Sequence, residues 1–386
     1  MNSSIAACSV CGVTIVAQEV VPATGHSYTY TDNGDGTHAK TCSACGDTFV
    51  EAHSFVDGTC VCGAVEAPAG PTYAEDLVFF NKSLSLQECT AWTFTLKNTV
   101  MDSYDTVYVV VTRKDHTGAE EVDVVTTLTD HTATGTKYQT FMYKELWAKM
   151  LNDQISATIY AEKDGVTYYG ETYTDSVANY ALTKLPTATE KMKAVYANML
   201  QYGAMAQIYY AYDVDHLANA NLGEYASYVT SAAPTAGNHD AVIATGGTSV
   251  TLKQKALGTA NSVQLQYIMQ LGTDVTLDGL YAEVSFTRAN GTAVSYQIAG
   301  SSWIAQSGYY AIIVNNLYGY DGRTAVSVTI KNANGEAVSA TYIGSIETQV
   351  NARQLANNNT TTKLNNLNMQ NALLNYYDAC QANWAP

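Results

Sequence analysis

Apolar and polar residues alternate over much of this chain. Trp92-Thr-Phe-Thr-Leu96 and Val107-Tyr-Val-Val-Val-Thr112 repeat with the period of two that places one face of a strand in a core and the other in water. Asp164-Gly165 and Asn334-Gly335 interrupt such runs with the residues that two-residue hairpins prefer. The period then changes. Met192, Val195, Met199, Tyr202, Ala206 and Tyr209 follow one another at helical spacing, and Thr187-Ala-Thr-Glu190 before them has the form of a capping box. Met369, Leu373, Tyr376, Cys380 and Trp384 form a second stripe of the same kind. The pattern predicts a mainly β protein with some α, in which β-sandwich-like domains are each closed by a C-terminal amphipathic helix.

Two segments of the chain match in order. Asp105-Thr-Val-Tyr108 and Thr112-Arg113 correspond to Asp278-Gly-Leu-Tyr281 and Thr287-Arg288. Ile155-Ser-Ala-Thr-Ile159 corresponds to Val326-Ser-Val-Thr-Ile330, and Met199-Leu-Gln-Tyr202 to Leu373-Leu-Asn-Tyr376. A constant offset of roughly 170–175 residues reads as a duplication. Pro- and Gly-containing breaks then divide the chain. A Cys/His module occupies 1–66, a linker 67–72, a first β-rich copy 73–230, a second linker 231–240 and a second copy 241–386.

Charge narrows the partners. With 19 Lys+Arg against 35 Asp+Glu, the formal net charge is -16. Such a chain repels a phosphate backbone, which argues against nucleic acid. No apolar run reaches membrane-spanning length. Tyr is abundant at 29 copies against 7 Phe, as suits half-wet strands of an extracellular protein. Neither end carries a targeting or anchor motif, and the expectation is a segment of a longer multi-module protein.

Six of the 8 cysteines fall in the first 62 residues, a local metal-binding distribution rather than a disulfide framework spread along the chain. Cys8-Ser-Val-Cys11-Gly12 and Cys42-Ser-Ala-Cys45-Gly46 are knuckles whose glycine permits the turn that aims two sulfurs at one centre. Cys60-Val-Cys62-Gly63 is a tighter version. Asp32-Asn-Gly-Asp-Gly36 reads as a hairpin loop. If Thr31 faces Thr37 across it, His26 faces Cys42, and His26, Cys42, Cys45 and His53 make a tetrahedral set for structural Zn2+. His38 has the parity of Cys42 and is the substitute ligand if the register slips. Cys8, Cys11, Cys60 and Cys62 remain. They close a second site, or belong to a worn repeat without metal, or pair as disulfides in an oxidising medium. A module this short buries little core, so a staple is physically expected.

Gly25-His-Ser-Tyr28, Asp35-Gly-Thr-His38, the Cys-x-x-Cys-Gly knuckles and Glu51-Ala-His-Ser-Phe-Val-Asp-Gly-Thr-Cys60 resemble the short zinc-ribbon-like Cys/His repeats of large secreted and cell-surface proteins of Gram-positive gut anaerobes. Asn198-Met-Leu-Gln-Tyr-Gly-Ala-Met-Ala-Gln207 is similar to a segment that recurs in the same kind of protein. The resemblance implies an extracellular or cell-surface location and implies no activity.

Catalytic signatures are absent from the sequence: no nucleophile elbow, no His-Glu-x-x-His, no phosphate loop and no dinucleotide fingerprint. His116, His131, His216 and His239 sit in turn-like sequence and read as surface loops. Cys380 lies on an apolar helix face and reads as core. A covalent Lys–Asn cross-link through Lys82 or Lys253 is a lesser reading, and Asp105 and Asp278 read as turn residues rather than a carboxylate pair. The leading function is therefore a non-catalytic segment of tandem stalk or adhesion modules with structural zinc. Its candidate partners are a glycan or a host or cell-surface protein. A carbohydrate-binding module is the alternative, with Trp92, Trp147, Trp303 and Tyr309-Tyr310 as stacking candidates. An enzyme of unfamiliar type is the second alternative.

Overall fold

The computed structural model describes residues 6–7, 10, 14–16, 25–66, 70–86, 90–117, 120–244 and 247–385. The chain forms two compact units, Met1–Gly70 and Pro71–Pro386.

In the first unit a three-stranded antiparallel sheet is built from Tyr28–Asp32, Thr37–Cys42 and Thr48–Ala52, followed by the short hairpin Phe55–Val56/Thr59–Cys60. The hairpin loop after Asp32 forms as the sequence predicts, with Gly34 and Gly36 at positive φ. The register differs from expectation by two residues. Thr31 faces Ala39 and Asp32 faces His38, so Tyr28, not His26, stands opposite Cys42. The turn is centred one residue further along the chain than the alternation suggests, because Asn33 N–H closes it onto Thr37 O at 3.1 Å. The third strand is exposed along its whole length. Among the described residues of this unit, the buried ones are His38, Cys42 and Cys60. Its core therefore consists of ligand-type side chains rather than hydrocarbon.

The second unit holds both copies. In the first, a four-stranded sheet (His131–Thr134, Tyr138–Tyr143, Ala91–Lys97, Asn81–Ser85) accompanies a five-stranded one (Val122–Leu128, Thr106–Asp115, Ile155–Lys163, Val166–Asp175, Thr72–Tyr73). Trp92, Phe94 and Leu96 from one and Val109, Val111, Ile155 and Ile159 from the other are fully buried. Each large side chain so buried contributes about 1.5–3 kcal/mol relative to exposure. The second copy repeats the pairing of a five-stranded with a four-stranded sheet. Its core uses Leu265, Tyr267, Met269, Val284, Val328 and Ile330. The Asp164-Gly165 turn is a two-residue hairpin, Lys163 pairing with Val166, with both turn residues at positive φ as a type I′ turn requires. The Asn334-Gly335 turn differs: Lys331 pairs with Ala337 across a five-residue loop, and Asn332 accepts from the backbone of both Asn334 and Glu336.

The closing helices span Glu190–Tyr210 and Thr361–Trp384 and pack against each other. The cap of the first is Thr189, whose hydroxyl accepts from Met192 N–H, and Thr187 lies in the turn before it. The predicted capping box therefore gives way to a simple N-cap. Two shorter helices, Val177–Lys184 and Ile346–Leu355, lead into the closing helices and were not predicted; both begin on a serine cap. The 67–72 linker ends earlier than expected, since Thr72 and Tyr73 pair in parallel with Tyr168 and Tyr169.

The stretch 228–235, which runs into the predicted 231–240 linker, is held from both copies, and its linker residues are held by the second. Asn198 of the first helix donates to Tyr228 O at 3.0 Å and accepts from Thr230 N–H at 2.9 Å. Asn375 of the second helix donates to Thr230 O and Ala232 O at 2.8 and 3.0 Å. Gln354 reaches Pro234 O at 3.0 Å, and Arg323 reaches Thr235 O at 2.9 Å while gripping Asp378 with two further bonds. Pro and Gly made this stretch look free in sequence. Side chains from the helices and from Arg323 satisfy its backbone instead.

Candidate metal centres

The N-terminal unit brings its Cys and His residues into two groups. His38, His53, Cys60 and Cys62 form one, and His26, Cys42 and Cys45 the other; within each group one ligand-type atom per residue lies within 4.8 Å of the rest. The predicted set of His26, Cys42, Cys45 and His53 is thus divided. His53 follows the third strand and joins the tighter Cys60-x-Cys62 knuckle, with His38 completing the four. The pairing of Cys60 and Cys62 with Cys8 and Cys11 lies outside the described residues, because Cys8 and Cys11 do. None of the described cysteines is in a disulfide.

Local backbone chemistry aims each sulfur pair. In the Cys42 knuckle, Gly46 N–H returns to Cys42 O at 2.9 Å with Gly46 at φ +78°, and Cys42 N–H reaches Asp47 O at 2.8 Å. The Cys60 knuckle is one residue shorter and closes the same way, Gly63 N–H to Cys60 O at 2.8 Å with Gly63 at φ +89°. A side chain is strained at such φ, which is why glycine follows both knuckles.

Distances test the fit of a metal ion. A tetrahedral zinc with bonds of about 2.3 Å to sulfur and about 2.0 Å to nitrogen separates an S and an N ligand by roughly 3.5 Å. His38 Nδ1 lies 3.5 Å from Cys60 Sγ. His26 Nδ1 lies 3.1 Å from Cys42 Sγ and 3.7 Å from Cys45 Sγ. Behind His38, Glu51 Oε2 stands 3.8 Å from the other ring nitrogen, and Asp32 Oδ1 stands 3.3 Å from His53 Nε2. Both carboxylates place negative charge beside the imidazoles without a hydrogen bond to either ring. Glu51 thus sits behind a ligand candidate rather than in the place of a catalytic base. The Asp32–His53 approach is close but off the line of a hydrogen bond, so His53 Nε2 is a buried ring nitrogen without a hydrogen-bond partner. Both donor sets suit a Cys/His-preferring ion, and the four-residue group fits a closed site.

The thiols carry the same message. The hydrogen bond from His26, with the N–H groups of Cys45 and Ala44, lowers Cys42 to about 6. Cys45 moves upward: the Asp47 N–H pulls it down, but the Cys42 sulfur and burial outweigh that. Cys60 is lowered, first by the Cys62 N–H, and Cys62 is raised, first by burial. In each pair one sulfur ionises at the expense of the other, as two like charges in contact must. A cation between them allows both to ionise.

The other residues singled out in sequence fall elsewhere. Trp92 and Trp303 are buried, Trp303 donating to Ile298 O at 3.2 Å, and Trp147, Tyr309 and Tyr310 are half-buried. Lys82 is ion-paired to Glu171 at 2.8 Å and Lys253 lies over the Tyr309 ring, so neither meets an asparagine in these contacts. Asp105 accepts from Asp164 N–H at 3.0 Å, a turn role. His131 lies on a strand rather than in a loop, and all four outlying histidines retain solvent exposure.

No protein-family model matches this chain, and no curated protein matches it. Among solved structures it is similar to the FN1–FN3 domains of chicken CNTN1, at 9% identity over 80% of this chain and 74% of that one, with a TM-score of 0.17. A second is an FMN-binding beta-glucuronidase from Facaelibacterium prausnitzii L2-6, at 12% identity over 82% of this chain and 39% of that one, with a TM-score of 0.14. Likeness at that level carries no argument about this protein, and the description rests on its own geometry.

Proposed function

We propose that the chain is a non-catalytic segment of a secreted or cell-surface bacterial protein: a module folded on structural zinc, followed by a stiff tandem of stalk or adhesion modules. One observation carries the zinc reading. The buried residues described in the N-terminal unit are ligand candidates, so a metal ion takes the place of a hydrocarbon core. Thiolate and imidazole donors favour zinc over calcium or magnesium, which take oxygen. Stiffness follows from the side chains that fasten residues 228–235 from both copies. The acidic, Tyr-rich composition and the resemblance of the Cys/His repeats support an extracellular setting.

Elemental analysis of the purified full chain, before and after chelation, tests this. The expected result is bound zinc whose removal unfolds the N-terminal unit and leaves the melting of the tandem unchanged. A metal-free N-terminal unit that is nonetheless well folded overturns it.

A further inference from the structure

Four tyrosines stand in one line across the five-stranded sheet of the first copy. Tyr108 pairs with Tyr160, Tyr160 with Tyr169, and Tyr169 with Tyr73, each directly across from the next on four adjacent strands. Successive ring centroids are 5.7, 6.5 and 5.5 Å apart. The alternation of burial fixes the side they occupy: Val107, Val109, Ile159 and Ala161 point into the core, and the tyrosines point away from it. Tyr73 is 57% and Tyr169 37% exposed. The row extends over three strand spacings, about 15 Å.

Hydroxyls and one carboxylate border this line. On one side lie Thr158 and Thr172, hydrogen-bonded at 2.8 Å, and beyond them Ser156 and Thr174 at 2.9 Å. On the other side Glu162 accepts from Tyr108 and Thr167 at 3.2 and 3.1 Å.

Cross-strand aromatic pairs also stabilise sheets, by roughly 0.2–1 kcal/mol each, and the duplication separates that role from a binding one. At the register of Tyr108, Tyr160 and Tyr169 the second copy has Tyr281, Lys331 and Ala337. Those three strands pair there without an aromatic row, so their pairing does not require one.

We propose that this face of the first copy binds an uncharged linear polysaccharide. The apolar faces of successive sugars lie along the tyrosines, and their hydroxyls meet the bordering threonines and Glu162. A repeating row suits a polymer of repeating units better than a single small molecule. Charge complementarity selects the class: the bordering charge is a carboxylate and the chain carries -16, which repels an anionic glycan. The inference is independent of metal at the N-terminal unit, whose content is measured separately.

Affinity electrophoresis of the full chain through native gels containing mixed-linkage β-glucan, xylan, galactomannan or polygalacturonate tests the proposal. At least one neutral polymer is expected to retard the chain, and polygalacturonate is not. Tyr73→Ala/Tyr169→Ala, at exposed positions, should weaken retardation about tenfold, the equivalent of two aromatic contacts. Tyr73→Phe/Tyr169→Phe keeps the rings and should keep binding, as should Tyr281→Ala in the second copy, with unchanged thermal melts as the folding control. Overturning results are no retardation by any neutral polymer, as a protein-binding face would give, stronger retardation by polygalacturonate, wild-type binding by the alanine variant, or loss of binding in the phenylalanine variant.

Discussion

Tyr202 and Tyr376 lie ring against ring at the seam between the two copies, with centroids 6.3 Å apart and planes 16° from parallel. They hold the same place in the duplicated segment, and equivalent residues that touch each other mark a two-fold relation. The start of the first helix meets the end of the second, where Asn383 Nδ2 stands 3.2 Å from Met192 Sδ, so the helices run antiparallel about the tyrosine pair. The tandem is assembled as a symmetric dimer would be, with the fastened 231–240 segment joining its halves.

Truncating either tyrosine opens a cavity at the centre of that seam. Tyr202→Ala and Tyr376→Ala should each cost about 3–5 kcal/mol in urea unfolding. The double variant should cost less than the sum, because the two rings share one contact.

Fastening of the linker is separable from the seam. Asn198→Ala leaves Thr230 N–H and Tyr228 O without their side-chain partner, at about 1–3 kcal/mol. The expected readout is faster limited proteolysis within 228–235, with the β-domain cores still protected.

A buried ion pair recurs in both copies. Arg113 meets Asp153 at 2.5 Å, and the duplicated Arg288 meets Asp321, with every one of these side chains at most 4% exposed. Arg113→Met strands a buried carboxylate that keeps only Tyr212 as a neutral donor, and should cost about 3–5 kcal/mol. Arg113→Met/Asp153→Leu should recover only part of that loss in denaturant unfolding, since Asp115, paired with Arg113 at 2.8 Å, still loses its partner.

Cys380 is a core residue of the second closing helix. Burial pushes its thiol up to about 12, so at neutral pH it is neutral and shielded. Mass-spectrometric mapping after iodoacetamide treatment should find it unmodified in the native chain and modified once the tandem is unfolded in urea.

The two Cys/His groups share no residue. Cys60→Ser and Cys45→Ser should each lower zinc content by one equivalent, and the double variant should bind none. Native mass spectrometry reads this directly.

Much of the fold was legible in the sequence because it rests on local periodicity. Trp92–Leu96 and Val107–Thr112 announce strands by alternation, and Met192 to Tyr209 announce a helix by spacing; all three form where the pattern places them. The helix from Val177 to Lys184 was not legible, since its eight residues span little more than two turns, too short a window to establish a helical period. The cap at Thr189 was misplaced because Thr187 and Thr189 offer the same hydroxyl, and only the path of the preceding turn chooses between them.

At the Cys/His clusters the sequence supplied the candidate ligands but not their partners. Residue types and knuckles nominated His26, His38, Cys42, Cys45, His53, Cys60 and Cys62, and each falls in a cluster. Their division turned on a two-residue shift in one hairpin, which sequence spacing does not encode. The tyrosine row escaped notice for a related reason: Tyr73, Tyr108, Tyr160 and Tyr169 become neighbours only through strand order and register.

By itself, then, the sequence determined the elements, the duplication and the ligand types, because periodicity, internal similarity and side-chain chemistry are properties of short segments. Tertiary structure decided that the two copies meet through equivalent tyrosines, that the apparent linker is held, which cysteines share a centre, and that one sheet face is aromatic. Each of these depends on the packing of residues far apart in the chain, and a one- or two-residue change of register alters it while leaving the local pattern intact.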